Sequence, residues 1–102
     1  MRLKAGVKLD ELSPQMVLGA MIANSVFVKH GLEMVITSAF EGTHMANSLH
    51  YAGHALDVRT RDIGLELLSI VVEEIKVALG DEFDVVLESD PHHLHLEWQP
   101  KG

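Results

Sequence analysis

The histidines are the residues of this chain best suited to chemistry, and most of them fall into two clusters. His50 and His54 form the first cluster, whereas His92, His93 and His95 form the second. Metal ligands must converge on one point, so clustering is more informative than the total of seven histidines. Because the chain has no cysteine, a bound metal would be held by His, Asp or Glu.

The first cluster lies where a predicted loop meets a predicted strand. Residues 39–53 are rich in Gly, Ser, Asn and His, which is typical of a long and often functional loop. Residues 55–60 alternate in polarity as a strand does. His50 in the loop and Asp57 in the strand reach one point if the loop folds back, and Gly53 permits such a bend.

A second interpretation of the first cluster places His50 and His54 on one helical turn as two metal ligands. Gly53 lies inside that segment, and no Glu follows His50 to act as a general base, so the helical interpretation is disfavoured. His54 is instead predicted to be a strand residue near the site.

The second cluster belongs to the last predicted strand. Side chains alternate across a strand, so His93, His95 and Glu97 share one face. Either histidine of this strand can therefore complete a metal site with His50 and Asp57.

Three protein ligands and an open fourth position are typical of catalytic zinc, which activates a water molecule. A carboxylate must then take the proton of that water. Glu88 and Asp90, at the turn before the histidine strand, are the candidates for this base.

Two helices and four strands are predicted around these residues. Residues 1–12 are expected to be an irregular N-terminal arm. Met16 and Met21 of the first helix are expected to lie in the core. The predicted elements are a helix over 14–30, strands over 33–38 and 55–60, a helix over 65–79 closed by Gly80, and strands over 83–88 and 94–98. We interpret residues 1–102 as one α+β domain with two helices packed on a small, mainly antiparallel sheet.

The first cluster and the last strand together resemble a known enzyme family. Ser48-x-His50, Gly53, Ala55 and Asp57, followed downstream by His-x-His-x-Glu-aromatic, are similar to peptidase family M15. This family contains zinc D-Ala-D-Ala carboxypeptidases and L-alanyl-D-glutamate endopeptidases, and it shares its fold with the hedgehog signalling domain. The resemblance covers roughly residues 13–100.

The small phage-associated members are the most similar within that family. In them a strand ending in Thr-Ser is followed by Glu-Gly-x-His, as in Thr37-Ser38 and the segment 41–44 here. The resemblance implies substrate contacts for Ser48, His44 and Arg59. Arg59 would clamp a substrate carboxylate, although His44 as a solvated loop residue and Arg59 in a surface ion pair are the alternatives.

The resemblance implies that His50, Asp57 and His95 bind zinc. The catalytic acid of the family commonly lies three residues before the last ligand, where this chain has His92. If His95 binds zinc, the base is Asp90 or Glu88, and a longer turn must bring that carboxylate to the metal. If His93 binds zinc, Asp90 lies three residues before this ligand, as in the family.

We favour His95, because the closing strand aligns with the family without gaps. A histidine can also act as a base near neutral pH, so His92 or His93 is a further candidate.

The resemblance implies a metallopeptidase that hydrolyses peptidoglycan stem peptides, by either carboxypeptidase or endopeptidase cleavage. The alternative is a zinc-binding module of the same fold that stabilises the chain or binds a partner without hydrolysis. The net charge of -7 argues against nucleic acid as a partner. The chain shows no signal peptide or membrane-spanning segment and suggests no obligate protein partner, so we expect cytoplasmic synthesis, with a phage virion or the cell wall as possible destinations.

Overall fold

Two helices and five strands make up the part of the chain that the structure, a computed structural model, describes: residues 1–10, 12–40, 54–89 and 92–99. In chain order these elements are β1 (Arg2–Leu3), α1 (Pro14–Lys29), β2 (Val35–Phe40), β3 (Ala55–Arg59), α2 (Leu65–Leu79), β4 (Phe83–Ser89) and β5 (His92–Trp98). The two helices and four strands predicted between residues 14 and 98 are confirmed. Each of their bounds differs from its prediction by at most two residues.

The strands form one sheet in the order β1-β2-β3-β5-β4. Only β1 and β2 pair in parallel, whereas β2 with β3, β3 with β5 and β5 with β4 pair antiparallel. The predicted α+β class with a mainly antiparallel sheet is therefore confirmed at this level. The order brings β5 between β3 and β4, so the closing strand contacts the two strands that carry the candidate acids.

The N-terminal arm is not irregular throughout, and that prediction is wrong for its first residues. The amide of Arg2 donates to the carbonyl of Met34 at 2.8 Å, and the amide of Lys4 donates to the carbonyl of Ile36 at 2.9 Å. These bonds satisfy the exposed edge of β2, which would otherwise present unpaired backbone groups. A two-residue strand is too short to show an alternating pattern in its sequence.

Helix α1 starts where its sequence predicts. The Oγ of Ser13 accepts a hydrogen bond from the amide of Met16 at 3.2 Å, and Pro14 occupies the first turn. The helix ends before Gly31, whose φ of +71° is accessible to glycine at little cost.

The two faces of the central strands have different roles. One face carries apolar side chains that pack with the helices around Phe27, which is fully buried. These strand residues are Leu56, Val58, Leu94 and Leu96. Because side chains alternate, the residues between them point to the opposite face, where the candidate site lies.

The surface of α1 departs from one prediction. Met16 is fully buried, as predicted, but Met21 is 57% exposed, together with Leu18 and Val28. Apolar residues occur all round this helix, so their spacing did not reveal which side faces the core. No helix within the described residues is long and apolar enough to cross a membrane.

Candidate metal site

Asp57 and His95 form the centre of the candidate site. They lie directly opposite each other in the register of β3 and β5. Oδ1 of Asp57 is 2.8 Å from Nδ1 of His95. Asp57 is 7% exposed, so its carboxylate is held largely away from water at the middle of the sheet.

Glu97 contacts the other side of the His95 ring. Its Oε1 is 3.0 Å from Nε2 of His95, and its Oε2 accepts a hydrogen bond from the side chain of Gln99. Glu97 is itself buried. Both ring nitrogens of His95 therefore face carboxylates, which fix the orientation of the ring.

This environment changes the charge of His95. The hydrogen bond with Asp57 raises the pKa of His95 to about 9, with a smaller contribution from Glu97 and against the opposing effect of burial. In the metal-free chain His95 is therefore an imidazolium near neutral pH. A metal that binds at Nδ1 must displace this proton.

Glu88 and His93 form a second pair beside the first. They are opposite each other in the register of β4 and β5, and Oε1 of Glu88 is 2.6 Å from Nε2 of His93. The same nitrogen lies 3.7 Å from Oδ2 of Asp57. His93 therefore connects the buried Asp57 to the exposed Glu88.

Asp57, Glu88 and His93 form a group that can hold a metal ion. Each of the three residues offers one ligand atom, and these three atoms all lie within 4.8 Å of one another. Two carboxylates and one imidazole suit zinc, and ligands about 2.0–2.2 Å from a tetrahedral zinc are about 3.4 Å apart. Small side-chain movements bring these atoms to that spacing.

The ligand set predicted from the sequence overlaps with this group at Asp57. If Asp57 and His95 bound one tetrahedral ion, their 2.8 Å separation would have to open by about 0.6 Å. The predicted ligand His50 lies outside the described residues. So do the candidate base Asp90 and the predicted substrate residues Ser48 and His44.

A cavity of about 430 Å³ opens beside Asp57 and His93. Arg59, opposite His93 in the sheet register, lines this cavity, and its substrate role stays a prediction. His92, at the start of β5, also lines it. The other lining residues are Lys4, Thr37, Ser38 and Arg61.

His54 immediately precedes β3 and takes no part in the described metal-binding group. Its Nδ1 is 2.8 Å from Oγ of Ser13, and its ring packs edge-on against Trp98 with centroids 4.8 Å apart. These contacts tie the start of β3 to the N-terminus of α1 and to the end of β5.

Glu97 is the residue whose role was missed from the sequence. Strand alternation predicts that Glu97 lies on the histidine face, but it assigns Glu97 no function. Its position two residues after His95 in a strand was the available signal, because residues at that spacing are neighbours on one face.

The chain matches no protein-family model, no curated protein sequence and no solved structure. Membership of the peptidase family therefore stays a prediction from the motif residues.

Proposed function

We propose that this chain is a zinc-dependent peptidase that hydrolyses peptidoglycan stem peptides. The observation that carries the proposal is the meeting of Asp57, His95, His93 and Glu88 on one face of the sheet, beside a cavity. These residues supply metal ligands and a proton acceptor within a few ångströms, as hydrolysis at a metal requires. The hedgehog-like variant of the α+β fold is part of the proposal.

Asp57, His95 and the predicted His50 hold the ion in this proposal. Asp57 and His95 are supported by their opposed positions and close contact. Glu97 accepts the remaining N–H of His95, an arrangement that fixes the ring of a metal-binding histidine. When bound, zinc polarises a peptide carbonyl and activates the attacking water.

Glu88 is the base that we favour among the described residues. Its side chain is half exposed, so water can reach it, and its Oε1 lies 2.6 Å from Nε2 of His93. Glu88 takes a proton from the attacking water and returns it to the leaving amine. His93, between Glu88 and Asp57, stabilises the negative charge of both carboxylates when it is protonated.

The substrate assignment rests on the family resemblance together with the position of Arg59. Arg59 lines the cavity together with His93, and a guanidinium can bind a substrate carboxylate through two hydrogen bonds. A phage lysis or virion-associated enzyme fits such a substrate, as does a cytoplasmic enzyme acting on recycled dipeptides.

The second candidate is a zinc-binding module without hydrolytic activity. The observation in its favour is the grouping of Glu88 with Asp57 and His93. If these three residues hold the ion, Glu88 becomes a ligand and no longer serves as the base. The fold and metal would then stabilise the chain or bind a partner.

The test combines metal analysis with cleavage assays on the purified chain. We expect about one zinc per chain, and cleavage of isolated muropeptides that is detected by the masses of the products. Loss of a terminal D-Ala identifies a carboxypeptidase, whereas a cut after L-Ala identifies an endopeptidase. A chain that binds zinc but leaves every muropeptide intact supports the binding module instead.

A further inference from the structure

Asp57 directs its two carboxylate oxygens at two different histidines of β5. Oδ1 is 2.8 Å from Nδ1 of His95, whereas Oδ2 is 3.7 Å from Nε2 of His93. The two histidines share one face of the strand, because Leu94 between them points into the core. One buried carboxylate therefore faces two imidazoles, and each of its oxygens can serve a separate site.

Oδ2 of Asp57 receives no hydrogen bond from the described part of the chain. Its distance of 3.7 Å from Nε2 of His93 is too long for one, and no other described donor contacts it. The Asp57 side chain is only 10% exposed, so little water reaches this oxygen. A buried carboxylate oxygen without a donor raises the free energy of the site, and a bound cation would offset that cost.

Glu88 and His93 complete a second set of ligands around this oxygen. Nε2 of His93 can carry only one hydrogen, and Oε1 of Glu88 accepts it at 2.6 Å. Two carboxylates therefore converge on one ring nitrogen that can donate to only one of them. Ligand atoms of Asp57, Glu88 and His93 already lie within 4.8 Å of one another, close enough for one zinc ion to bind all three after small side-chain movements.

This second set shares only Asp57 with the ligands proposed for the first ion. The first set uses Asp57, His95 and the predicted His50. Filling it therefore leaves Glu88, His93 and Oδ2 of Asp57 available for another ion. Metal ions that are held as a pair in hydrolytic sites lie about 3.5–4 Å apart, a spacing that one carboxylate can bridge.

The second set is expected to bind zinc more weakly than the first. Glu88 must give up its contact with His93, and its side chain is half exposed. Two zinc ions on one carboxylate repel each other, and the cations Lys4, Arg59 and Arg61 line the adjoining cavity. The first ion should therefore bind at equimolar zinc, whereas the second requires zinc in excess.

We infer that Glu88, His93 and Oδ2 of Asp57 form a second zinc site whose occupation inhibits the enzyme. In the proposed function Glu88 takes a proton from the attacking water, and a carboxylate oxygen that binds zinc is no longer free to do so. The inhibition rests on the proposed peptidase function, whereas the site itself rests on the described contacts alone. The activity of the chain then falls as free zinc rises.

Zinc titration of the metal-free chain by calorimetry, with metal analysis after dialysis, tests the site without an activity assay. We expect about one zinc per chain at equimolar zinc and about two in excess, the second bound roughly 100-fold more weakly. X-ray absorption of the doubly loaded chain should give a zinc–zinc distance of roughly 3.5–4 Å. The rate of muropeptide cleavage should fall about 100-fold as the second site fills, because the base is lost.

Glu88→Gln and His93→Gln test the residues. Each variant removes one ligand of the second site and none of the first, so it should hold about one zinc even in excess. In His93→Gln, excess zinc should no longer lower the rate that this variant shows at equimolar zinc. Glu82→Gln changes an exposed carboxylate just before β4 and should keep both the second zinc and the inhibition. Amide NMR spectra of the metal-free variants check that they remain folded.

Four results would overturn the inference. The first is a wild-type chain that holds no more than one zinc in excess. The second is a second zinc that both Glu88→Gln and His93→Gln retain, which would place it at other residues. The third is loss of all zinc in Glu88→Gln, which would make this group the only site. The fourth is a doubly loaded chain that cleaves as fast as the singly loaded one.

Failure of the inference and failure of the proposed function give different results. A chain that cleaves muropeptides with one zinc and binds no second ion retains the proposed function without this site. A singly loaded chain that cleaves no muropeptide would overturn the inhibition together with the proposed function. The zinc titration would still decide whether Glu88, His93 and Asp57 bind a second ion.

Discussion

Asp57 and His95 lie opposite each other on β3 and β5, with Oδ1 and Nδ1 only 2.8 Å apart. The same contact holds a proton on His95 in the metal-free chain and places two candidate ligands side by side. Proton and metal therefore compete for one ring nitrogen. The pH dependence of zinc binding therefore shows whether His95 is a metal ligand.

The first prediction is a zinc affinity that rises with pH well above the ordinary pKa of histidine. Since the pKa of His95 is raised to about 9, zinc must displace its proton up to that pH. The affinity should rise about tenfold per pH unit between pH 7 and about 9, then level off. Competition with a chelator measures it. An affinity that levels off near the ordinary histidine pKa of about 6.5 would remove His95 from the ligands.

The second prediction separates the two ligand sets by means of Glu88. In the proposed set Glu88 is the base, so Glu88→Gln should keep about one zinc per chain and lose about 100- to 10,000-fold in cleavage rate. In the alternative set Glu88 is a ligand, and the same variant should lose zinc. Metal analysis beside a muropeptide assay distinguishes the two. Glu82→Gln, an exposed change just before β4, should affect neither zinc nor rate.

The third prediction concerns Glu97, which contacts Nε2 of His95 from a buried position. Glu97→Gln removes a negative charge that favours the imidazolium, so the pKa of His95 should fall below about 9 in the metal-free chain. Above pH 9, where the proton on His95 no longer competes with the metal, zinc affinity should fall about 10- to 100-fold, because the carboxylate that orients the ring is lost. NMR titration of the histidine ring protons measures the first effect. An unchanged pKa would show that Asp57 alone sets the charge of His95.

The sequence was sufficient to place His93, His95 and Glu97 on one face, because alternation along a strand is a local property. It was not sufficient to identify the neighbours of that strand. The sequence predicts Glu88 as the last residue of its strand, next to the turn, whereas in the structure β4 continues to Ser89 and Glu88 lies opposite His93. Hairpin register depends on how many residues the turn takes up, and the sequence leaves that number open.

The cationic cavity was even less accessible from the sequence. Of the three basic residues that line this cavity, Lys4, Arg59 and Arg61, the family resemblance implies a substrate contact only for Arg59. Lys4 lies far away in sequence and reaches the cavity through the pairing of β1 with the edge of β2. Such pairing depends on tertiary structure, so neither composition nor periodicity indicates it.

The fourth prediction concerns the contact between α1 and β4. A Cβ added at Gly19 would lie 2.7 Å from Cε2 of Phe83, closer than real Cβ atoms approach. Gly19→Ala gains about 1 kcal/mol of helix propensity but costs about 1–3 kcal/mol in overpacking. We expect a net loss of about 0–2 kcal/mol in the free energy of unfolding. Adding Phe83→Leu should make the same change stabilising, as a denaturation double-mutant cycle would show.

The fifth prediction concerns the ion pairs that join the end of α1 to α2. Glu74 lies 3.0 Å from both His30 and Lys29. The hydrogen bond from His30 and then that from Lys29 hold the pKa of Glu74 below its usual value of 4.5. A lowered pKa in the folded chain stabilises it above the unfolded pKa, and this contribution disappears as the pH falls through the folded pKa.

Glu74→Gln should therefore lower the melting temperature at neutral pH, and the difference from wild type should shrink as the pH falls below about 4.5. Thermal denaturation followed by circular dichroism at several pH values measures it. Glu73→Gln changes an exposed carboxylate one residue away and serves as the control. Because zinc would add its own pH dependence, the comparison uses metal-free protein. A difference that stays constant from neutral to acidic pH would mean that Glu74 acts through packing and not through its charge.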